Sequence, residues 1–137
     1  MTLRPGIIAN LSYRDAPAAI DLLCAAFGFT RHAVHASEDG VSIQHAQLTL
    51  GDSMIMLNTA HSNPFGMATP AETEGRVTCI LYVVLDDPDA HHARAAAAGV
   101  EIINPPRDQD YGGRSYEARD SEGNVWSFGS YDPWATG

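Results

Sequence analysis

Six histidines and two cysteines are the side chains of this sequence best suited to holding a metal ion or relaying a proton. Their spacing argues against most such arrangements. His91 and His92 are neighbours on a predicted helix, about 100° apart around its axis, so they cannot grip one ion together. His32 and His35 are three apart on a predicted strand, where alternation sends them to opposite faces. His61 falls in a stretch without regular pattern. His45 shares a strand face with Gln47, and a metal site joining His45 to a carboxylate such as Glu117 stays open. The simpler reading is that unpaired strand histidines are hydrogen-bonded and that His91 and His92 are solvated.

Glu117 and Arg119 alternate with Tyr116 and Ala118 along one predicted strand. Facing a cleft, they would supply a general base and an anion anchor. Facing solvent, they are a cross-strand ion pair worth under ~1 kcal/mol, which is the simpler reading. There is no phosphate loop, nucleophile elbow or HExxH helix, and Gly112-Gly113 reads as a turn. Cys24 and Cys79 lie inside apolar runs and are expected to be buried thiols acting as small hydrophobes.

The elements that position these groups must come from a short chain. Its 137 residues suit one domain, residues 1–137, with a real core. Eight Lys and Arg against seventeen Asp and Glu give a net charge of −9 and a pI of about 4.8. So acidic a chain lacks the basic surface that nucleic-acid binding needs. The longest apolar stretch, Ile80 to Leu85, falls far short of the ~20 residues of a membrane span. Met1 to Leu11 contains no signal-peptide core, so a cytoplasmic location is expected.

The chain reads as two copies of one unit. In the first, the apolar run Ile7 to Tyr13 leads to Asp15-Ala16-Pro17, a helix, then Gly28 and Phe29. In the second, Cys79 to Leu85 leads to Asp86-Asp87-Pro88, an alanine-rich helix, then Gly99 and Val100. Asp15 to Gly28 and Asp86 to Gly99 both span thirteen positions, an offset of 71. Unit 1 covers about 5–60, a linker about 60–75, and unit 2 about 76–134.

Each unit predicts strand, helix, then three strands. Ile20, Leu23, Cys24 and Phe27 form one apolar stripe, with Asp15 as N-cap, Pro17 in the first turn and Gly28 as the left-handed stop. The second helix starts at Asp87-Pro88, and its buried face is expected at Ala90, Ala93 and Ala97. Gly51-Asp52 turns one hairpin into Ser53 to Thr59, and Ser121 to Asn124 turns another into Val125 to Tyr131. Ile102 and Ile103 predict a short strand before Asn104-Pro105-Pro106, with a loop to Gly113. The fold class is therefore α+β, two βαβββ units, each sheet having one helix-covered face and one polar face lining a cleft. Ile8, Asn10 and Ser12 belong to the polar set of the first strand, and Ile80, Tyr82 and Val84 to that of the fifth.

Tyr13-Arg14-Asp15 before a helix, Tyr111-Gly112-Gly113-Arg114, and above all Asp120-Ser121-Glu122-Gly123-Asn124-Val125-Trp126 near the C-terminus carry a resemblance. So do His45-Ala46-Gln47-Leu48 and Met54-Ile55-Met56-Leu57 around Gly51-Asp52. With the duplicated units, the chain resembles the vicinal oxygen chelate superfamily in its glyoxalase and bleomycin resistance branch, over nearly its whole length. Metal-dependent members carry up to four inward ligands, typically His or Glu. Matched by Asp15, Asp86, the Met54 to Leu57 strand and the Gly123 turn, those positions hold Ile8, Met56, Ile80 and Ser127. Two hydrocarbons, a thioether and a hydroxyl do not make a site for a zinc-, nickel- or iron-like ion. No metal or other cofactor is expected.

The resemblance implies a homodimer that sequesters a drug-like molecule in clefts between paired units. That molecule is expected to be hydrophobic or cationic, and the net charge of −9 favours a cationic one. Ligand contacts are expected from Ile8, Asn10, His45, Gln47, Met56, Ile80, Tyr82, Arg114, Glu117 and Arg119, with Phe65, Tyr111 and Trp134 as stacking faces. Trp126 and Phe128 alternate with Val125 and Ser127 and should face the helix as core. The second reading is a lyase, isomerase or dioxygenase of the same superfamily with displaced metal ligands.

Overall fold

The computed structural model describes residues 2–135. The first unit holds β1 (Ala9–Tyr13), α1 (Ala16–Phe27), β2 (Thr30–Ala36), β3 (Ile43–Leu50) and β4 (Ser53–Thr59). The second holds β5 (Leu81–Val84), α2 (Pro88–Ala97), β6 (Glu101–Asp108), β7 (Arg114–Arg119) and β8 (Val125–Gly129). The sheets have matching orders, β1-β4-β3-β2 and β5-β8-β7-β6. In each, the first strand runs parallel to the last while the other pairs are antiparallel. The linker between the sheets carries one short 3-10 turn, Pro70–Thr73.

Both helices start by the same device. Asp15 accepts from the Ala18 amide at 3.2 Å and Asp87 from the Ala90 amide at 3.0 Å, with proline following in each first turn. Gly28 closes α1 at φ 87°. The buried face of α2 is not the expected alanine stripe. Ala90, Ala93 and Ala97 are exposed, while Pro88 and Ala95 are buried and His91 and His92 are half-buried between them. His91 turns inward to the Phe27 carbonyl of the other unit and the Tyr116 hydroxyl of its own, partners alanine cannot use, and His92 packs edge-on against Tyr116.

β6 runs on through Asn104-Pro105-Pro106, where a loop was expected, to Asp108. Register shifts between Ile102 and Asn104 and between Asn104 and Arg107 accommodate the prolines, which lack the amide a regular ladder needs. Of the two cysteines expected to be buried, Cys24 is half-buried and Cys79 exposed.

The two units meet back to back. One apolar cluster contains Ile20, Leu23 and Phe27 of α1, Leu48 and Leu57 of the first sheet, and Tyr116, Trp126 and Phe128 of the second. Phe27 packs on Phe128, Trp126 and His91 with ring centroids 4.7, 5.5 and 6.0 Å away. Trp126 and Phe128 face this core as expected. Arg94 of α2 donates to the Cys24 and Ala25 carbonyls, capping the C-terminal end of α1 from the other unit. Because the helix side of each sheet is used in this joint, the opposite faces point outward.

Candidate functional site: the two open sheet faces

Strand register aligns the predicted residues in two equivalent rows. On the first sheet Asn10, Met56 and Gln47 stand side by side across β1, β4 and β3. On the second, Tyr82, Ser127, Glu117 and Asn104 stand side by side across β5, β8, β7 and β6. Ile8 and Ile80 lie just before β1 and β5, 47% and 52% exposed. These are the faces that alternation assigns away from the helices.

On the first face the Gln47 amide nitrogen lies 3.0 Å from His45 Nε2, within hydrogen-bond distance. His35, opposite His45 in the register, stacks on it with centroids 6.4 Å apart and planes 13° apart. Simple alternation does not hold for His32 and His35, because the register slips between Arg31 and Ala33. Ser12 donates to Asn58 Oδ1 at 2.7 Å beside the row. Together the row and its neighbours present two amides, a thioether and two imidazoles.

On the second face Glu117 is the centre. Its Oε1 accepts from Asn104 Nδ2 at 2.9 Å and pairs with Arg107 at 2.8 Å, while Oε2 accepts from Ser127 Oγ at 3.3 Å. Its side chain is only 16% exposed. Arg119 pairs with Glu101 at 2.5 Å, not with Glu117, in a geometry that matches a solvated cross-strand pair. The Tyr82 ring passes over Gly129, where an added Cβ would sit 2.8 Å from its hydroxyl oxygen, and that hydroxyl donates to the Tyr131 carbonyl at 2.6 Å. Burial, reinforced by nearby Tyr111, raises the Tyr82 phenol above its ordinary value.

Other expected residues stand elsewhere. Arg114 lies on the helix side, where Asp89 of α2 and Asp108 hold it. Phe65 and Trp134 are on loops, 82% and 94% exposed, and Tyr111 packs edge-on against Tyr131 at 5.1 Å. His45 and Glu117 occupy different sheets whose open faces point apart, so one chain does not bring them together. A groove of about 580 Å³ under the linker is lined by Asn10, Ser12, Arg76 and Cys79, and touches neither His45 nor Glu117.

The donor set does not fit the metal that the resemblance brings to mind. Ile8 and Ile80 have no donor atom, Met56 offers a thioether, and the Ser127 hydroxyl is engaged by Glu117. Among the described residues no three His, Cys, Asp or Glu side chains converge to hold an ion.

Sequence reasoning missed His35, Asn104 and Arg107 on the open faces, because register shifts reset the alternation that would reveal them. It also missed what the C-terminal motif does. Asp120 Oδ2 accepts from the Tyr13 hydroxyl at 2.6 Å and from Trp126 Nε1 at 3.1 Å, while Oδ1 accepts from the Glu122 and Asn124 amides. Glu122 in turn receives the Arg14 and Asp15 amides at 2.6 and 2.7 Å. The two most recognisable motifs thus bind each other across the joint. Burial and the Asp120 charge raise the Tyr13 phenol well above its ordinary range and keep it a donor. His91, expected to be solvated, donates from Nε2 to the Phe27 carbonyl at 2.8 Å and accepts from Tyr116 at 2.5 Å. Burial lowers its proton affinity, and burial raises the Tyr116 phenol.

Comparison with known proteins agrees with this geometry. TioX from Micromonospora sp. ML1 is 31% identical with a TM-score of 0.74, covering 92% of this chain and 98% of its own. A fosfomycin resistance protein, FosX, from Mesorhizobium loti superposes with a TM-score of 0.67 at 18% identity, covering 98% of each chain, and shares the fold. An uncharacterized protein of Mycobacterium tuberculosis is 28% identical over 130 residues, covering 94% of this chain and 76% of its own. The sequence profile of the glyoxalase/bleomycin resistance protein/dioxygenase superfamily matches residues 7–128, and the chain belongs to that superfamily.

Proposed function

We propose that this protein captures a small, flat, largely apolar molecule in clefts built by two copies of the chain, without metal chemistry. The observation that carries the reading is the back-to-back joint, which leaves two surfaces of ligand-binding character uncovered. Ile8, Ile80, Tyr82 and Val84 are all exposed on or beside them. Apolar area of that kind on a sheet marks an interface or a binding groove. Within one chain the faces point apart, so a two-walled cleft needs the first sheet of one copy against the second sheet of another. Asn10, His45, Gln47 and Met56 would then form one wall, and Ile80, Tyr82, Glu117 and Arg119 the other.

A resistance-type role, sequestering an antibiotic-like compound, is the function this arrangement serves best. Fosfomycin resistance among the fold neighbours keeps company with that reading without naming a ligand. The test is titration of purified protein with antibiotic-like compounds, followed by tryptophan fluorescence, with and without a chelator, alongside sedimentation equilibrium. A dimer with saturable, chelator-insensitive binding is expected. A stoichiometric ion whose removal abolishes binding would replace this reading with that of a superfamily enzyme using displaced ligands. His35 and His45 of one copy with Glu117 of another would be the donors to examine first.

A further inference from the structure

We propose that Arg107 sets the charge preference of the cleft, so that it takes uncharged hydrogen-bonding ligands in preference to cations. The inference rests on the binding reading above and deepens it.

The net charge of −9 favours a cation only if some of that charge faces the ligand. It does not. The strands β1, β3, β4, β5 and β8 contain no Asp, Glu, Lys or Arg. Arg31 of β2 pairs with Asp21 of α1 on the helix side, and Asp108 and Arg114 also lie on the helix side. Among the strand residues, what remains on the open faces is Glu101 with Arg119 and Glu117 with Arg107, two acids matched by two bases, while Asp132 lies beside Tyr82 and Arg76 shares the linker groove with Asn10.

Arg107 reaches that face only because of a defect in its strand. Asn104 stands opposite Glu117, and Arg107 opposite Ser115, so three steps along β6 match two along β7. In a regular ladder an odd step would turn Arg107 toward the helix. The extra residue at Pro105-Pro106 turns it back beside Asn104. There its guanidinium pairs with Glu117 Oε1 at 2.8 Å and donates to the Ser115 carbonyl at 3.4 Å. With Asn104 and Ser127 also donating, Glu117 has little left for an ammonium or amidinium ligand, which must first displace Arg107. An amide or carbonyl ligand meets donors without breaking the pair.

The test uses three probes with one ring system: naphthamide, naphthylmethylammonium and naphthoate, titrated calorimetrically into the full-length protein. Wild type should bind the amide more tightly than the ammonium. Arg107→Gln should shift the ammonium-to-amide affinity ratio about fivefold toward the cation, the scale of one freed surface charge. Arg107→Lys should keep the wild-type order. Glu117→Gln should shift preference toward naphthoate. A wild-type preference for the ammonium, or ratios unmoved in both Arg107→Gln and Glu117→Gln, overturns the inference while leaving capture of a small molecule intact. Failure of every probe to bind any of the proteins removes the capture reading and this inference with it.

Discussion

Asp120 in the joint and Glu117 on the open face are both carboxylates ringed by donors, yet they do different work. Asp120 accepts four hydrogen bonds from Tyr13, Trp126, Glu122 and Asn124 and is almost completely buried. Glu117 accepts from Asn104, Arg107 and Ser127 beside a surface open to water. In the joint a lost partner leaves a polar group with no water to replace it, so each bond is costly to break. On the open face the partner Arg107 is 43% exposed, so water can take over its contacts and screens the pair. The residues that mark the family hold the halves together, and the residues free to choose a ligand lie where substitution is cheap.

The contrast can be broken at four places. Asp120→Ala should destabilise the fold by about 3 kcal/mol, because Tyr13, Trp126 and a turn lose their common acceptor. Urea unfolding would show it, and a loss under about 1 kcal/mol would erase the distinction between joint and face. His91→Gln should cost about 2 kcal/mol through the Phe27 carbonyl and Tyr116. It should also alter a pH slope. His91 binds its proton less readily folded than the ordinary value of 6.5, so its stabilisation is complete above that pH and is lost as pH falls below it. Unfolding midpoints measured between about pH 7 and 5 should decline in wild type and decline less in the variant. Gly129→Ala should cost about 1–2 kcal/mol, because the new methyl meets the Tyr82 hydroxyl and Ser115. Probe affinity should fall with it as Tyr82 is displaced. Arg119→Ala should change stability by less than about 0.5 kcal/mol, since its pairing with Glu101 is half in solvent. A large effect there would mean the open face is structural after all.

The duplication, the N-caps at Asp15 and Asp87, the Gly28 stop and the hairpin at Gly51-Asp52 are legible in the sequence because each is decided by residues a few positions apart. So are Asn10 and Tyr82 of the outward set, which follow from alternation, whereas Met56 is placed by the resemblance and Gln47 only by sharing a strand face with His45. What escapes is anything decided by a distant partner. His91 reads as a solvated helix residue until Phe27, 64 positions away, supplies a carbonyl. Asp120 reads as part of a turn until Tyr13, 107 positions away, reaches it. Arg114 reads as a cleft residue because nothing local announces Asp89. Asn104 and Arg107 vanish behind two prolines that look like the end of a strand and are instead a kink within one.

That kink has a bearing on solubility as well. β6 is an outermost strand, and a straight one would offer its free backbone groups as a template for further chains to add on indefinitely. Two consecutive prolines without amide hydrogens spoil that template. At the rim of the first sheet, β2 carries two irregularities of its own in pairing with β3. Copies of this protein are thereby steered away from open-ended fibrous growth along those two rims.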